Sequence, residues 1–302
     1  MNYKDDTLVE IDGFDHTSIY EKSWNKVSVW KNKLNFNVPL FRIGTGDVIL
    51  QGFGAYGDSF SGDYSLSERN DPVDESGADY EYLYRSVKFG DIDYKSYDFS
   101  VNFAYQIAIT PDGRNNRDYY LFREKVHSFI LPKIGYARYT KDHALSSFFD
   151  YGQLVNYSDS YTTNWSGPFL GVESVNYISD NHKVSVGANL YYIDYDVSGD
   201  IGSNEAFFTS IGFSDPAFDY FILRSNNSME GSATGSGFGL NFGYSYQPGN
   251  HVSYDVRANY TNTRIQGGDT TYYYRDGSSS DGKINEANWD SFLLSLGITY
   301  NF

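Results

Sequence analysis

Cysteine is missing from all 302 positions, so a disulfide scaffold, a thiolate nucleophile and a Cys-ligated zinc site are excluded. Basic residues are also scarce. The 23 Lys and Arg face 39 Asp and Glu, a formal net charge of -16 that argues against binding a phosphate backbone, and nucleic acid is not an expected partner. No stretch approaches the ~18–20 consecutive apolar residues of a membrane helix, and mean hydropathy is -0.51, so a hydropathy scan alone would class the chain as soluble. The start, Met-Asn-Tyr-Lys-Asp-Asp, carries no apolar export segment, which fits a mature exported sequence with an added start Met. No Pro/Ser-rich linker interrupts the chain, and residues 1–302 are expected to form a single domain.

What is present in excess is Tyr (30), Phe (22) and Gly (29). Aromatic side chains suit one face of a closed sheet, and small residues let backbones crowd on the other. The C-terminal stretch alternates accordingly. Phe292, Leu294, Leu296, Ile298, Tyr300 and Phe302 interleave with Ser291, Leu293, Ser295, Gly297, Thr299 and Asn301. About 11 such residues, tilted ~40°, reach across the apolar band of an outer membrane. The same period places Phe238, Leu240, Phe242, Tyr244 and Tyr246 on one face, and after the turn Pro248-Gly249-Asn250, Val252, Tyr254, Val256, Ala258 and Tyr260. Residues 97–109 and 184–192 repeat it. A soluble sandwich would show the same alternation with its faces reversed, so the connections decide between the two.

Those connections alternate in length. Short ones fall near 40–46, 110–118, 179–182 and 247–250; long polar ones fall near 61–93, 140–162, 198–234 and 266–287. With early strands near 4–14 and 24–39, ten strands are expected, an even number as in bacterial barrels. The strands near 119–139 and 163–178 contain Pro132 and Pro168, which leaves their limits open. The expected fold is all-β: a transmembrane, antiparallel up-and-down β-barrel of the outer membrane, with short periplasmic turns and long extracellular loops.

The layout resembles the omptins, outer-membrane endopeptidases of Gram-negative bacteria. The resemblance is carried by Gly167-Pro168-Phe169-Leu170-Gly171, by the turn Ser179-Asp180-Asn181-His182, and by Gly243-Tyr244 through Gly297-Ile298-Thr299-Tyr300-Asn301-Phe302. It implies fold and location. The family's activity rests on an Asp-x-Asp pair after the third strand and an Asp-x-His pair after the seventh, which activate a water. Here the first loop is read as offering Asp63, Glu68, Asn70 and Asp71 with no Asp-x-Asp, and no His lies from 183 to 250. Of the histidines at 16, 127, 143, 182 and 251, the last two fall on the short-turn side, leaving His16 and His143 to reach the outer rim. Fold and location are therefore expected to carry over, and proteolysis is not.

One segment spells out a different chemistry. Asp194, Asp196, Ser198, Gly199, Asp200 and Glu205 match the order of a calcium loop, with alternate oxygens to wrap a hard cation, a glycine for the sharp turn and a glutamate to close the sphere. A solvated acidic loop accounts for the same residues. The segment 274–282 reads as a loop tip. Lys31, Lys33, Asp98, Glu173, Asp255 and Arg257 fall on the inward phase and are expected to fill a narrow lumen as ion pairs, or else to line a solute path. His127-Ser128 reads as lumen packing. The leading functional expectation is a non-enzymatic surface protein whose acidic, Tyr-rich outer loops, such as Tyr272-Tyr273-Tyr274, meet an extracellular ligand. A diverged peptidase and a narrow channel are the alternatives. Expected partners are outer-membrane lipid and lipopolysaccharide, and the barrel-insertion machinery through Phe302.

Overall fold

A computed structural model of the chain describes residues 3–12, 16–44, 46–72, 87–89, 92–109, 128–145, 148–150, 153–155, 159–179, 181–200, 227–249 and 251–300. Thirteen strands occur among them: β1 (Tyr3–Asp12), β2 (His16–Ile43), β3 (Gly46–Pro72), β4 (Val87–Phe89), β5 (Ile92–Ile109), β6 (Ser128–Leu145), β7 (Phe148–Asp150), β8 (Gln153–Val155), β9 (Asp159–Ser179), β10 (His182–Asp200), β11 (Met229–Tyr246), β12 (Val252–Tyr273) and β13 (Ser279–Tyr300). The main sheet runs β2-β1-β13-β12-β11-β10-β9-β6-β5-β3-β4 and is joined to itself by β2–β3 pairing. Setting aside the three-residue β4, ten antiparallel strands go round, the number expected. β1 meets β13 only from Ser291 upward and β2 only from Ser23 upward, so among the described residues the ring closes in its upper half.

The alternation behaves as lipid demands. Leu190, Leu240, Leu294, Leu296 and Ile298 point outward and are among the most exposed apolar side chains, Leu296 at 81%. Their inward neighbours Asn189, Gly239 and Ser295 line the lumen. Water would not tolerate that outer face, and a bilayer requires it. Aromatic girdles bound the apolar band, with Tyr97, Tyr136 and Tyr192 above and Tyr246 and Tyr300 below. At the lower edge His182 stacks on Tyr246 with centroids 4.9 Å apart, and His251 stacks on Tyr300 at 6.0 Å. Both histidines are on the short-turn side, as their sequence positions imply.

Short turns fall where expected at three places. At the first, Arg42 grips Asp47 through two hydrogen bonds of 2.7 and 3.1 Å, and Gly44 takes φ 58°, a left-handed value glycine adopts without steric cost. Tyr105 Oη donates to the Ile43 carbonyl at 2.8 Å and ties β5 to the same turn. The others join β9 to β10 and β11 to β12. The connection expected near 110–118, with His127, lies outside the described residues.

Of the strand expected near 119–139, residues 119–127 lie outside those described, and β6 runs from Ser128 past the expected end to Leu145. Pro132 sits inside it, facing outward, and the ladder to β5 passes from Ala104–Lys133 to Ile107–Ile130 without pairing Leu131 or Pro132. A proline cannot donate to a ladder, and the other edge, to β9, runs through unbroken. Pro168 behaves alike. The β9–β10 ladder skips Gly167 and Pro168, and an added Cβ at Gly167 would lie 2.0 Å from the Tyr192 carbonyl oxygen.

The long connections are shorter than their polarity suggests. β3, β6, β10 and β12 continue to Pro72, Leu145, Asp200 and Tyr273, well above the girdle. The segment 266–287, expected as a loop, is a hairpin paired from Gln266–Glu286 to Tyr273–Ser279. Its tip is ordered by Asp276, which accepts from the Ser278 amide at 2.8 Å and hydroxyl at 2.5 Å; these donors hold its carboxyl below the ordinary aspartate range. On the hairpin's wall, Asp269 raises the Lys283 ammonium above the ordinary lysine range through a close ion pair.

Candidate functional site in the lumen

The strands change character as they leave the membrane. On β10, Val186, Leu190 and Tyr192 face outward within the band; above it Ile193, Tyr195 and Val197 are buried inward while Asp194 and Asp196 face out. The apolar phase has moved from the outer wall to the inner one. β13 repeats this, with Ile284 and Trp289 inward above and Phe292, Leu294 and Leu296 outward below.

The inward aromatics meet across the lumen and stop it. Tyr139 on β6 and Trp289 on β13 have centroids 4.8 Å apart; Trp165 on β9 packs on Tyr195 at 4.5 Å and lies 6.3 Å from Trp289. Tyr191 reaches Phe169 at 5.4 Å and Tyr139 at 6.5 Å. Ile265, Ile284, Ala287 and Met229 belong to the same buried cluster. Offset and edge contacts of this kind contribute ~0.5–1.5 kcal/mol each beyond area burial. Tyr272 belongs to the cluster and Tyr274 packs against it, so two of the three tyrosines expected at an outer binding loop are committed to the interior.

Beneath and beside the stopper lie the charges. Asp98 accepts from Lys141 at 2.6 Å and makes a close ion pair with Lys31 on its other oxygen. Lys133 pairs closely with Glu173, Asp255 accepts from Thr299 at 2.6 Å, and Lys33 lies 3.8 Å above the Phe53 ring. Arg257 is near enough to Lys33 and Lys183 to repel both, and it is exposed to the lower lumen. The inward charges read from the sequence are thus in place. Lys141 was missed, although it shares phase with the inward Tyr139 and could have been read from the same alternation.

Other sequence candidates separate. His143 does not reach the rim; it is buried inward, 5.1 Å from the Tyr94 ring and 5.5 Å from that of Tyr161. The side chain of His16 lies outside what is described. Ser128, read as lumen packing, instead shares phase with the outward Ile130 and Ile134, and it donates to Asn176 Oδ1 at 2.7 Å on the outer wall; His127 lies outside the described residues. An Asp-x-Asp does occur at Asp91-Ile92-Asp93, overlooked in the sequence; Asp91 is outside the described residues, and Asp93 is exposed, 3.6 Å from Lys95.

The candidate calcium residues stand in a straight strand. Asp194, Asp196 and Ser198 point away from the lumen, paired with Thr234, Ser232 and Glu230 on β11 and with Ser166, Asn164 and Thr162 on β9. Asp200 ends the strand and accepts from the Asn227 amide, and Glu205 lies outside the described residues. Gly199 makes no sharp turn: an added Cβ would fall 2.3 Å from the Ser160 carbonyl oxygen, so it permits close strand approach. Successive outward side chains of a strand are ~6–7 Å apart in a row, which does not wrap an ion. No cluster of three or more metal-ligating side chains occurs among the described residues.

A membrane-height apolar wall, paired girdles and a ring of antiparallel strands define an integral β-barrel of the bacterial outer membrane. The chain belongs to the Protochlamydia outer membrane protein family, Pom, whose model matches residues 18–302. Among solved structures it is similar to the outer membrane protease OmpT from Escherichia coli, at 10% identity and TM-score 0.64, covering 100% of this chain and 94% of that one. That likeness concerns the fold alone. Matches to a loop-deletion form of OmpT from Vibrio cholerae (9% identity, TM-score 0.15, 97% of each chain) and to OprD from Pseudomonas aeruginosa (7%, TM-score 0.14, 97% of this chain and 92% of that one) carry no fold argument. No curated protein matches the chain.

Proposed function

We propose that the chain is a non-enzymatic surface protein of the outer membrane, a stoppered barrel that carries acidic outer connections toward an extracellular partner. The observation that supports this reading is the contact of Tyr139 with Trp289 across the lumen, which places a buried aromatic cluster in the path through the upper barrel. Acids such as Asp74, Glu75, Asp79 and Glu81 in an outer connection would repel anionic surfaces and favour a cationic partner. The test is the refolded protein in planar bilayers and with unstructured peptide substrates. Neither stepwise conductance nor cleavage is expected; sustained steps or peptide hydrolysis by the pure protein would overturn the reading.

A second reading, a narrow anion-preferring channel, is favoured by one observation. Around the lower lumen Lys31, Lys33, Lys133, Lys183 and Arg257 outnumber Asp98, Glu173 and Asp255, in a chain that is otherwise strongly acidic. The same recording separates the two, because a channel of this kind conducts in the wild type with a reversal potential displaced toward that of the anion.

A further inference from the structure

Donors outnumber acceptors where the stopper meets the charged lumen. Lys31 and Lys141 both donate to Asp98, so one carboxylate faces two ammonium groups, and the Lys141 side chain is 0% exposed. With all three groups ionised the triad carries one excess positive charge, and its Lys141 end has no solvent contact. Strand register places Ser96, Lys141 and Thr163 side by side on β5, β6 and β9, all buried. Gly57 lets Lys31 close on this row, since an added Cβ would lie 2.7 Å from Lys31 Cγ and 2.8 Å from Ser96 Oγ.

Among the described residues, Ser96 Oγ and Thr163 Oγ1 are buried without a hydrogen-bond partner, and so is Trp165 Nε1, two residues along β9 on the same face. Trp289 links the group: its ring is 4.7 Å from Lys141 Nζ and 6.3 Å from the ring of Trp165. An ammonium and an indole N–H can only donate, and a hydroxyl can do so by rotation. Native interiors rarely leave such groups unpaired.

We propose that Ser96, Lys141, Thr163 and Trp165, with Lys31 behind them, form a binding site for a small monovalent anion of the halide class. One negative charge neutralises the triad, and a spherical acceptor takes bonds from an ammonium, two hydroxyls and an indole without a fixed acceptor geometry. A water molecule would satisfy some donors and leave the charge in place. A dianionic oxyanion would reverse the charge and bring acceptors beyond the donors available.

The test uses the full chain refolded in detergent, titrated with sodium chloride against sodium gluconate at constant ionic strength, and read by melting temperature and tryptophan emission. Chloride raises the melting temperature and shifts the emission saturably, while gluconate does neither. Lys141→Met abolishes both effects, and the double variant Ser96→Ala/Thr163→Val moves the chloride midpoint at least several-fold higher. Should Lys141→Met fail to fold, the double variant decides alone. Identical chloride and gluconate curves in the wild type, or a chloride midpoint unchanged in the double variant, overturn the proposal and leave the site to water.

Discussion

Tyr139 and Trp289 stand five strands apart by either route around the ring, yet their rings lie 4.8 Å from each other. The contact spans the lumen and makes opposite walls of the barrel one packed unit. In a barrel this narrow, a few aromatic side chains suffice to fill the section.

Trp289→Ala should remove that contact and leave a cavity bordered by Tyr139, Trp165 and Lys141. A loss of about 3–5 kcal/mol is expected for truncating a buried tryptophan. Urea unfolding in detergent measures it, and bilayer recordings of the same variant should show stepwise conductance that the parent does not. A silent variant of wild-type stability would mean that Trp289 does not stopper the lumen.

Charge substitutions on β11 locate the membrane boundary. Leu240 faces outward within the band and Ser236 faces outward above it. Leu240→Arg should cost about 2–4 kcal/mol and Ser236→Arg about 0–1 kcal/mol. Equal penalties in reversible folding into lipid vesicles would contradict this placement of the band.

Asp98 is the single acid between two lysines. Asp98→Asn leaves both without a counter-charge and should destabilise by about 3–5 kcal/mol, whereas Asp98→Asn/Lys31→Met should recover part of that loss. Strict additivity in a double-mutant cycle would show that the two side chains are not coupled.

For Asp194 and Asp196, the straight-strand geometry predicts only weak, salt-screened association with calcium. Asp194→Ala/Asp196→Ala should leave the melting temperature in calcium unchanged. A saturable isotherm in titration calorimetry, lost in that variant, would restore a wrapped site completed beyond Asp200.

The outer hairpin carries a pH dependence. Its donors lower the Asp276 carboxyl, so the turn's contribution is complete above the ordinary aspartate range and is lost as pH falls through the lowered value. The Ser278 amide resonance should therefore titrate below the usual aspartate midpoint, and in Ser278→Ala the Asp276 midpoint should return toward it.

The band was legible in the sequence because lipid on one side and polar lumen on the other force a strict alternation, seen in Phe238–Tyr246 and Phe292–Tyr300. The upper barrel was not. Once Asp194, Asp196 and Ser198 face water, polarity no longer marks a strand, and the inward run Ile193, Tyr195, Val197 has the opposite phase from Leu190 and Tyr192. A hydrophobicity reading takes that shift for the end of the strand and the start of a loop. For the same reason the four acids of 194–205 looked like a turn. Lys141 escaped notice because an isolated lysine resembles surface until the pairing of β5 with β6 brings it within reach of Asp98.

The exchange of apolar phase at the upper girdle also fixes depth. Were the barrel to sink by two residues, Asp194 and Arg138 would enter hydrocarbon; were it to rise by two, Leu190 and Phe238 would meet water. Both displacements oppose themselves on several strands at once, so the boundary acts as a draught line like that of a loaded hull. The height at which the outer connections stand above the lipid is thereby set by the walls, whatever those connections come to hold.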